Sequence, residues 1–317
     1  MKIQPIKKTV LELCAGGGGQ FLGLEAAGFD CVGAVEIEES YCRTLNYNRP
    51  ELNVINHDLK HFDAKGFYGV DLVAGGVPCP PFSIAGKQLG QEDDRDLFPY
   101  ALKIVKQTDP KAVLLENVPG LSSSKFDSYR KEIQGKLSEM GYWSDWKILN
   151  ASDFRVPQLR PRFILVAVKK DKKNGFEWPK PFSKKITVGE ALFDLMSENG
   201  WMGVDGWSQK ANDVGPTLVG GSKKHGGPDL GPTRARMQWR KLGVDGLGIA
   251  DSAPEIKFPN DALPRLTVRM TARIQGFPDA WHFPGRKTSS YRQIGNAFPP
   301  PVAKAVSLQI LETIQEI

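Results

Sequence analysis

The segment "GGVPCPPFS", residues 75–83, sets a thiol, Cys79, between prolines. Proline fixes its own φ, lacks an N–H and restricts the residue before it, so this is a stiff, shaped loop. A cysteine used as core filler sits on a strand or a helix face. One held in a rigid loop just past the apolar run "DLVAG" is a candidate nucleophile, with packing at a strand end as the alternative. In "LLENVPG", Glu116 closes another apolar run. Open α/β sheets bind ligands beyond the carboxyl ends of their strands, so this carboxyl and the thiol can face one pocket. In "VPQLRPRFILV", Gln158, Arg160 and Arg162 alternate. They therefore project to one face of an extended segment, suited to a polar ring or a phosphate.

A further constellation is "LELCAGGGGQFLGLEAAGF", where glycines follow a strand and open a helix. Glycine permits close backbone approach to a ligand beside helix-terminal N–H groups. The dinucleotide fingerprint G-x-G-x-x-G fails, because Gly16 and Gly18 fit but Phe21 stands at the third position. Glu36 ends the next strand pattern, twenty residues after Gly16, where an acid can accept ribose hydroxyls. Asp58, in "NHDL", is placed to receive an exocyclic amine such as adenine N6. A cofactor with an adenosine but no pyrophosphate fits better than a nicotinamide dinucleotide.

These residues need strand ends to hold them. "TVLELCAG", "CVGAVEI", "NVINHDL", "VDLVAGG", "AVLLENV", "WKILN" and "RFILVAVK" read as strands. "QFLGLEAAG", "SYCRTLNYN", "DLFPYALKIVKQ" and "SYRKEIQGKLSEMG" between them read as helices. That rhythm predicts βαβ units on a mostly parallel sheet. Beyond Lys169 it stops, and a Gly-, Pro- and Trp-rich region follows. "GNAFPPPVA" then leads into a final apolar helix able to pack on the sheet.

The chain has 317 residues, which suits two unequal domains. With 40% hydrophobic and 25% charged residues it has the balance of a globular protein in water. It holds no apolar run of about 18 residues, and its N-terminus lacks a signal-peptide core, so a cytoplasmic location away from membranes is expected. The four cysteines have no C-x-x-C spacing and the four histidines are scattered, so no metal is expected. Residues 169–287 carry 20 Lys/Arg against 13 Asp/Glu, a net +7, and the remainder is −1. A basic excess confined to one region points to a polyanion.

Taken in order, "AGGGG", "PCPPFS", "ENV", "QLRPR", "RMTARIQGF" and "GNAFPPPVA" resemble the motifs of the cytosine-C5 DNA methyltransferases, of the bacterial restriction–modification type. The resemblance covers almost the whole chain, with a variable gap where that family carries its target-recognition domain. It implies an α/β fold: a doubly wound, mostly parallel sheet of the S-adenosylmethionine-dependent methyltransferase kind, with a second, smaller, loop-rich DNA-recognition domain. Residues 1–180 and 287–317 would form the catalytic domain and 181–286 the recognition domain. The resemblance implies S-adenosylmethionine as cofactor, held by Cys14, Gly16, Gly18, Gly19, Glu36, Ile37, Asp58, Leu59, Pro78, Leu97, Asn296 and Ala297. Cys79 would be the nucleophile and Glu116 its partner, with Arg160 and Arg162 at the target base. Two residues depart from the family pattern: Cys14, where an aromatic is frequent, and Met270, where Glu is usual.

The expected activity is methyl transfer to C5 of a flipped-out cytosine in double-stranded DNA, through a covalent Cys79 adduct. A monomer is expected, with a cognate restriction endonuclease as functional partner. The first rival is an RNA (tRNA) cytosine-C5 methyltransferase, whose characteristic "CFT"-type segment is missing here. The second is a catalytically silent DNA-binding relative, against which Cys79, Glu116 and Arg162 argue. For DNA reading the expected residues are Thr217, Leu218, Lys223, Lys224, Arg234, Arg236 and Arg240. The lysines suit phosphates and the arginines suit guanine.

Overall fold

The apolar runs of the first half pair side by side. In the computed structural model, which describes residues 7–78, 96–221 and 229–315, β1 (Thr9–Leu13), β2 (Asp30–Glu36), β3 (Val54–Asn56), β4 (Leu72–Gly76) and β5 (Ala112–Asn117) lie parallel. β6 (Tyr142–Asn150), a two-residue β7 (Gln158–Leu159) and β8 (Pro161–Lys169) follow. The main sheet has the order β3-β2-β1-β4-β5-β8-β6, and β8 runs antiparallel to β5. β5 is buried at every position, which is why such strands read as unbroken apolar runs rather than alternating ones. The chain starts at β1, moves outward to β3 and returns to β4 on the other side of β1. That reversal makes a crevice at the carboxyl ends of β1 and β4.

The expected helices are present. α1 (Gly19–Ala27) ends at Gly28 in a left-handed cap, and α2 (Glu39–Asn48) joins β2 to β3. α3 (Phe98–Thr108) has proline in its first turn, where the missing N–H costs nothing. α4 (Asp127–Glu139) precedes the β6 edge. On one face of the sheet Leu11, Leu13, Val73, Val113, Leu115 and Leu165 pack with Phe98, Ile104, Ile133 and Leu137 of α3 and α4.

The chain divides into two compact units. The first is Met1–Leu149, Pro161–Pro179 and Val302–Ile317; the second is Asn150–Arg160 and Lys180–Pro301. The break at Pro179–Lys180 lies beyond Lys169, where the sequence rhythm stops. Residues 150–160 and 287–301, expected with the catalytic domain, group with the second unit. β7 explains part of this, because it pairs in parallel with β9 (Gly215–Pro216) inside that unit.

The second unit also contains α5 (Val188–Ser197), α6 (Val204–Lys210), α7 (Thr233–Lys241), α8 (Val268–Gln275) and α9 (Lys287–Asn296), joined by loops. Its core is built on Leu192, Met196, Trp201, Trp207, Trp239 and Met270. Gly215 lets Trp239 seat against β9, since a Cβ there would lie 2.4 Å from the indole ring. α10 (Pro300–Ile314) closes the chain, and its Leu311 lies beside Gly28 at the end of α1.

Candidate active site

The glycine loop after β1 is bent by left-handed residues. Cys14, Gly16 and Gly18 have φ of 52°, 60° and 93°, and Gly18 is the N-cap of α1. The conformation is free for glycine and rare for other residues. Glu36, buried at the end of β2, locks the loop. Its Oε2 accepts the Gly16 N–H at 2.7 Å, and its Oε1 accepts the Glu38 N–H at 2.8 Å. Burial raises the Glu36 carboxyl above its ordinary range, and these two backbone donors oppose the shift. Beside it Ile37 is 59% exposed, an apolar face next to a polar anchor. Asp58, past β3, accepts the Lys60 N–H on Oδ1, and Leu59 is buried.

Glu36, an acceptor at the strand end, and the exposed apolar face of Ile37 could hold a group that carries hydroxyls and a flat ring. Cys14 is partly buried against the sheet core, and burial with the nearby Glu36, Asp58 and Glu12 pushes its thiol up. Burial raises Cys31 too, and Cys42 is pushed up to about 11. At neutral pH none of these thiols is a thiolate, the form that acts as nucleophile.

Cys79 lies outside the described residues; the described residues on either side of that span, Val77–Pro78 and Asp96–Leu97, are held. Asn117 Nδ2 donates to the Val77 carbonyl at 2.8 Å, tying β5 to the residue before Pro78. The Leu97 N–H donates to the Pro78 carbonyl at 3.2 Å, which brings two of the expected cofactor residues together. Asp96 is buried. It accepts the Phe98 N–H at the start of α3 and the Tyr129 hydroxyl of α4. Sequence reasoning missed Asn117, Asp96 and Tyr129 as supports. Only Asn117 had a signal, its place inside "ENV".

At the end of β5, Glu116 pairs with Arg162 of β8, Oε1 to Nε 2.6 Å, both largely buried. The register explains the meeting. Glu116 stands opposite Ile164, and Arg162 lies two residues along on the same face. Burial lowers the Arg162 guanidinium from its usual value and Glu116 counters that. Gly76, opposite Glu116 on β4, leaves room for the carboxylate, since a Cβ there would lie 3.3 Å from Oε2.

The second unit treats the other expected residues differently. Arg160 is 1% exposed. Its Nη1 donates to the Leu218 carbonyl at 2.8 Å, and its Nη2 to the carbonyls of Gly295 and Ala297 at 2.7 and 3.0 Å. Those terminal nitrogens hold backbone carbonyls of the second unit. Leu218 is fully buried in the core of its unit. The Thr217 hydroxyl donates to the Leu159 carbonyl. Asn296 donates to the Gly221 carbonyl and Ala297 accepts from Gln275, both within the second unit. On α7, Arg234 and Arg240 are exposed, whereas Arg236 pairs with Asp229 and Thr233 and braces the fold. Lys223 and Lys224 lie outside the described residues.

Residues 8–312 match the family model described as C-5 cytosine-specific DNA methylase. The chain is 53% identical over 311 residues to the type II methyltransferase M.NgoMIV of Neisseria gonorrhoeae, covering 97% of this chain and 98% of that one. It is 53% identical over 308 residues to the type II methyltransferase M.NaeI of Lentzea aerocolonigenes, covering 95% and 74%. A solved DNA modification methyltransferase from an Escherichia coli prophage aligns with a TM-score of 0.68 at 26% identity, covering 98% of this chain and 100% of that one. The Spodoptera frugiperda DNMT2 structure shares the fold, with a TM-score of 0.68 at 19% identity over 96% and 99% of the two chains. The chain belongs to the C-5 cytosine-specific DNA methylase family. It is a DNA (cytosine-5) methyltransferase.

Proposed function

We propose that the protein methylates C5 of one cytosine within a specific duplex sequence, with S-adenosylmethionine as donor and Cys79 as covalent nucleophile. The observation that supports this most is the buried Glu116–Arg162 pair, standing at the strand end that Asn117 ties to Val77, two residues before Cys79. Carbon 5 of cytosine is a poor nucleophile. A thiolate of Cys79 adding to carbon 6 forms an S–C6 bond and moves the ring electrons toward carbon 5, splitting one hard step into two easier ones. Glu116 would hold N3 and the exocyclic amine during the attack, and Arg162 would hold O2. S-adenosylmethionine supplies an electrophilic methyl group. Gly16, Gly18, Gly19, Glu36, Ile37, Asp58, Leu59, Pro78 and Leu97 would hold it, with Glu36 at the ribose. Loss of the C5 proton to a base then expels the Cys79 thiolate and restores the ring. The base is reached only outside the duplex, so the cytosine is flipped out.

The relatives are type II methyltransferases. This supports a place in a bacterial restriction–modification pair, acting in the cytoplasm and protecting the sequence that a cognate endonuclease cuts. The basic excess of residues 169–287 suits a duplex partner. Bisulfite sequencing of plasmid DNA from cells expressing the protein tests the reading. Modified cytosines should fall in one sequence context, and Cys79→Ser should remove them while S-adenosylmethionine binding, followed by calorimetry, persists. Methylation by the serine variant at near wild-type rate would sink the mechanism.

A further inference from the structure

Gln158 and Arg160 stand on adjacent same-face positions, and both side chains reach one residue, Leu218. Gln158 Oε1 accepts the Leu218 N–H at 2.8 Å, and Arg160 Nη1 donates to the Leu218 carbonyl at 2.8 Å. Both routes then continue to one more residue. Gln158 Nε2 donates to Gln275 Oε1 at 2.8 Å, and Gln275 Nε2 donates to the Ala297 carbonyl at 2.6 Å. Arg160 Nη2 donates to the same carbonyl and to that of Gly295. The circuit is closed: two side chains of the "QLR" segment grip the backbone of Leu218 on one side and of Ala297 on the other. Thr217 adds its hydroxyl bond to Leu159, and Asn296 its amide bond to Gly221.

Packing makes the junction unforgiving. A Cβ on Gly220 would fall 2.5 Å from the Arg292 carbonyl, and one on Gly295 would fall 2.4 Å from the Gly220 nitrogen. The two backbones touch because neither residue has a side chain. A buried guanidinium is costly unless its donors are taken, and here the fork matches acceptors lying in two directions. A lysine, one compact nitrogen, cannot span them.

We propose that Arg160 is a positioning residue for DNA recognition: it clamps the segment around Thr217 and Leu218 to the turn at Gly295–Ala297, and does not touch the target base. The clamp stands on the geometry. Its consequence for recognition rests on the expectation that the segment beginning at Thr217 and running to Lys224 reads DNA. The base-contact role stays with Arg162, which pairs with Glu116.

The test compares Arg160→Lys and Gln158→Leu with the wild-type protein. Three quantities are read: the single-turnover methylation rate at saturating cognate duplex, the affinity for cognate and random duplexes, and amide hydrogen exchange across residues 214–221 and 292–298. Loss of a charge-assisted hydrogen bond should lower the cognate-to-random affinity ratio by about ten- to a hundredfold in Arg160→Lys. Exchange should rise in both segments together, and the saturated rate should stay within about threefold of wild type, since binding rather than the chemical step is affected. Gln158→Leu should move the ratio and the exchange in the same direction. Because both side chains hold Leu218, the double variant should lose less than the sum of the single losses. Gln158→Leu alone keeps the test decisive if Arg160→Lys does not fold. A saturated rate that collapses in Arg160→Lys, with affinity ratio and exchange unchanged, overturns the proposal and returns Arg160 to the base. If exchange rises in both segments while the ratio holds, the clamp is real but residues 217–221 do not read DNA, and the proposal fails on that reading.

Discussion

Glu12 shows how much one side chain can bear. It lies on β1, fully buried, two residues before the bend of the glycine loop. Burial holds its carboxyl well above the usual range, the Phe21 backbone opposes this, and the charge of Glu36 adds to it. A carboxyl with a raised folded-state pKa binds its proton more tightly in the native state. Stability is then lost as pH climbs from the unfolded carboxyl value, about 4.3, toward the folded one. Glu12→Gln removes that titration while keeping the shape. The melting temperature of the variant should gain on wild type as pH rises from 4 to 8, and the two should lie closest at the acid end. Melting curves that stay parallel across that range would show that Glu12 does not titrate between the two states. Glu36 is raised by burial too, but there two backbone donors on the carboxyl oppose the shift.

α8 carries the departure at Met270. Thr267 caps the helix by accepting the Met270 N–H, and the Met270 sulfur stands where a carboxylate would close the box, 3.4 Å from the Thr267 N–H. The same side chain is 1% exposed in the core of the second unit. A thioether is a weak acceptor but a good filler, so packing is its larger role. Met270→Ala should cost about 2–5 kcal/mol in chemical denaturation, as other large-to-small core changes do. Met270→Leu should cost less than about 1.5 kcal/mol, because volume is kept. Equal losses would mean that the sulfur contact, rather than the packing, supports α8. This helix also shows where reading the sequence runs out. β1 to β5 were legible because buried parallel strands are unbroken apolar runs, and Glu116 was legible because a charge at the end of such a run stands out. α5 to α9 were not: they are close in length to α1 and α2, but they lie among Gly-, Pro- and Trp-rich loops without the alternating buried strands that frame a βαβ rhythm. The clamp at Arg160 was hidden for another reason. Alternation put Gln158, Arg160 and Arg162 on one face, but backbone carbonyls are the acceptors, and any residue supplies one. Sequence therefore cannot tell an arginine that holds carbonyls from one that holds a base.

At the scale of the molecule, charge is divided like the chain. Residues 169–287 hold a net +7 and the rest is nearly neutral. The structure sorts that charge by duty. Arg236, Arg265, Arg269 and Arg273 are engaged by Asp229, Asp245, Glu198, Asp194 and Asp279, so they brace the second unit. Arg273 lies between Asp194 and Asp279, whose carboxyls its hydrogen bonds hold below their ordinary range. Arg234 and Arg240 are exposed on α7, which Trp239 anchors in the core. They are therefore the better candidates for DNA on that helix. Exposed, flexible cations suit phosphates, which carry no sequence information but set register and affinity. Arg234→Ala and Arg240→Ala should each weaken binding to cognate and random duplexes alike, and each should flatten the slope of log affinity against log salt by about one. Arg236→Ala should lower the melting temperature and leave that slope alone. Titrating the three variants on both duplexes across a salt series separates these outcomes. A slope that falls for Arg236→Ala and not for the other two would reverse the division of labour on α7. A loss confined to the cognate duplex would make Arg234 or Arg240 a base reader, worth about 1–3 kcal/mol at its position.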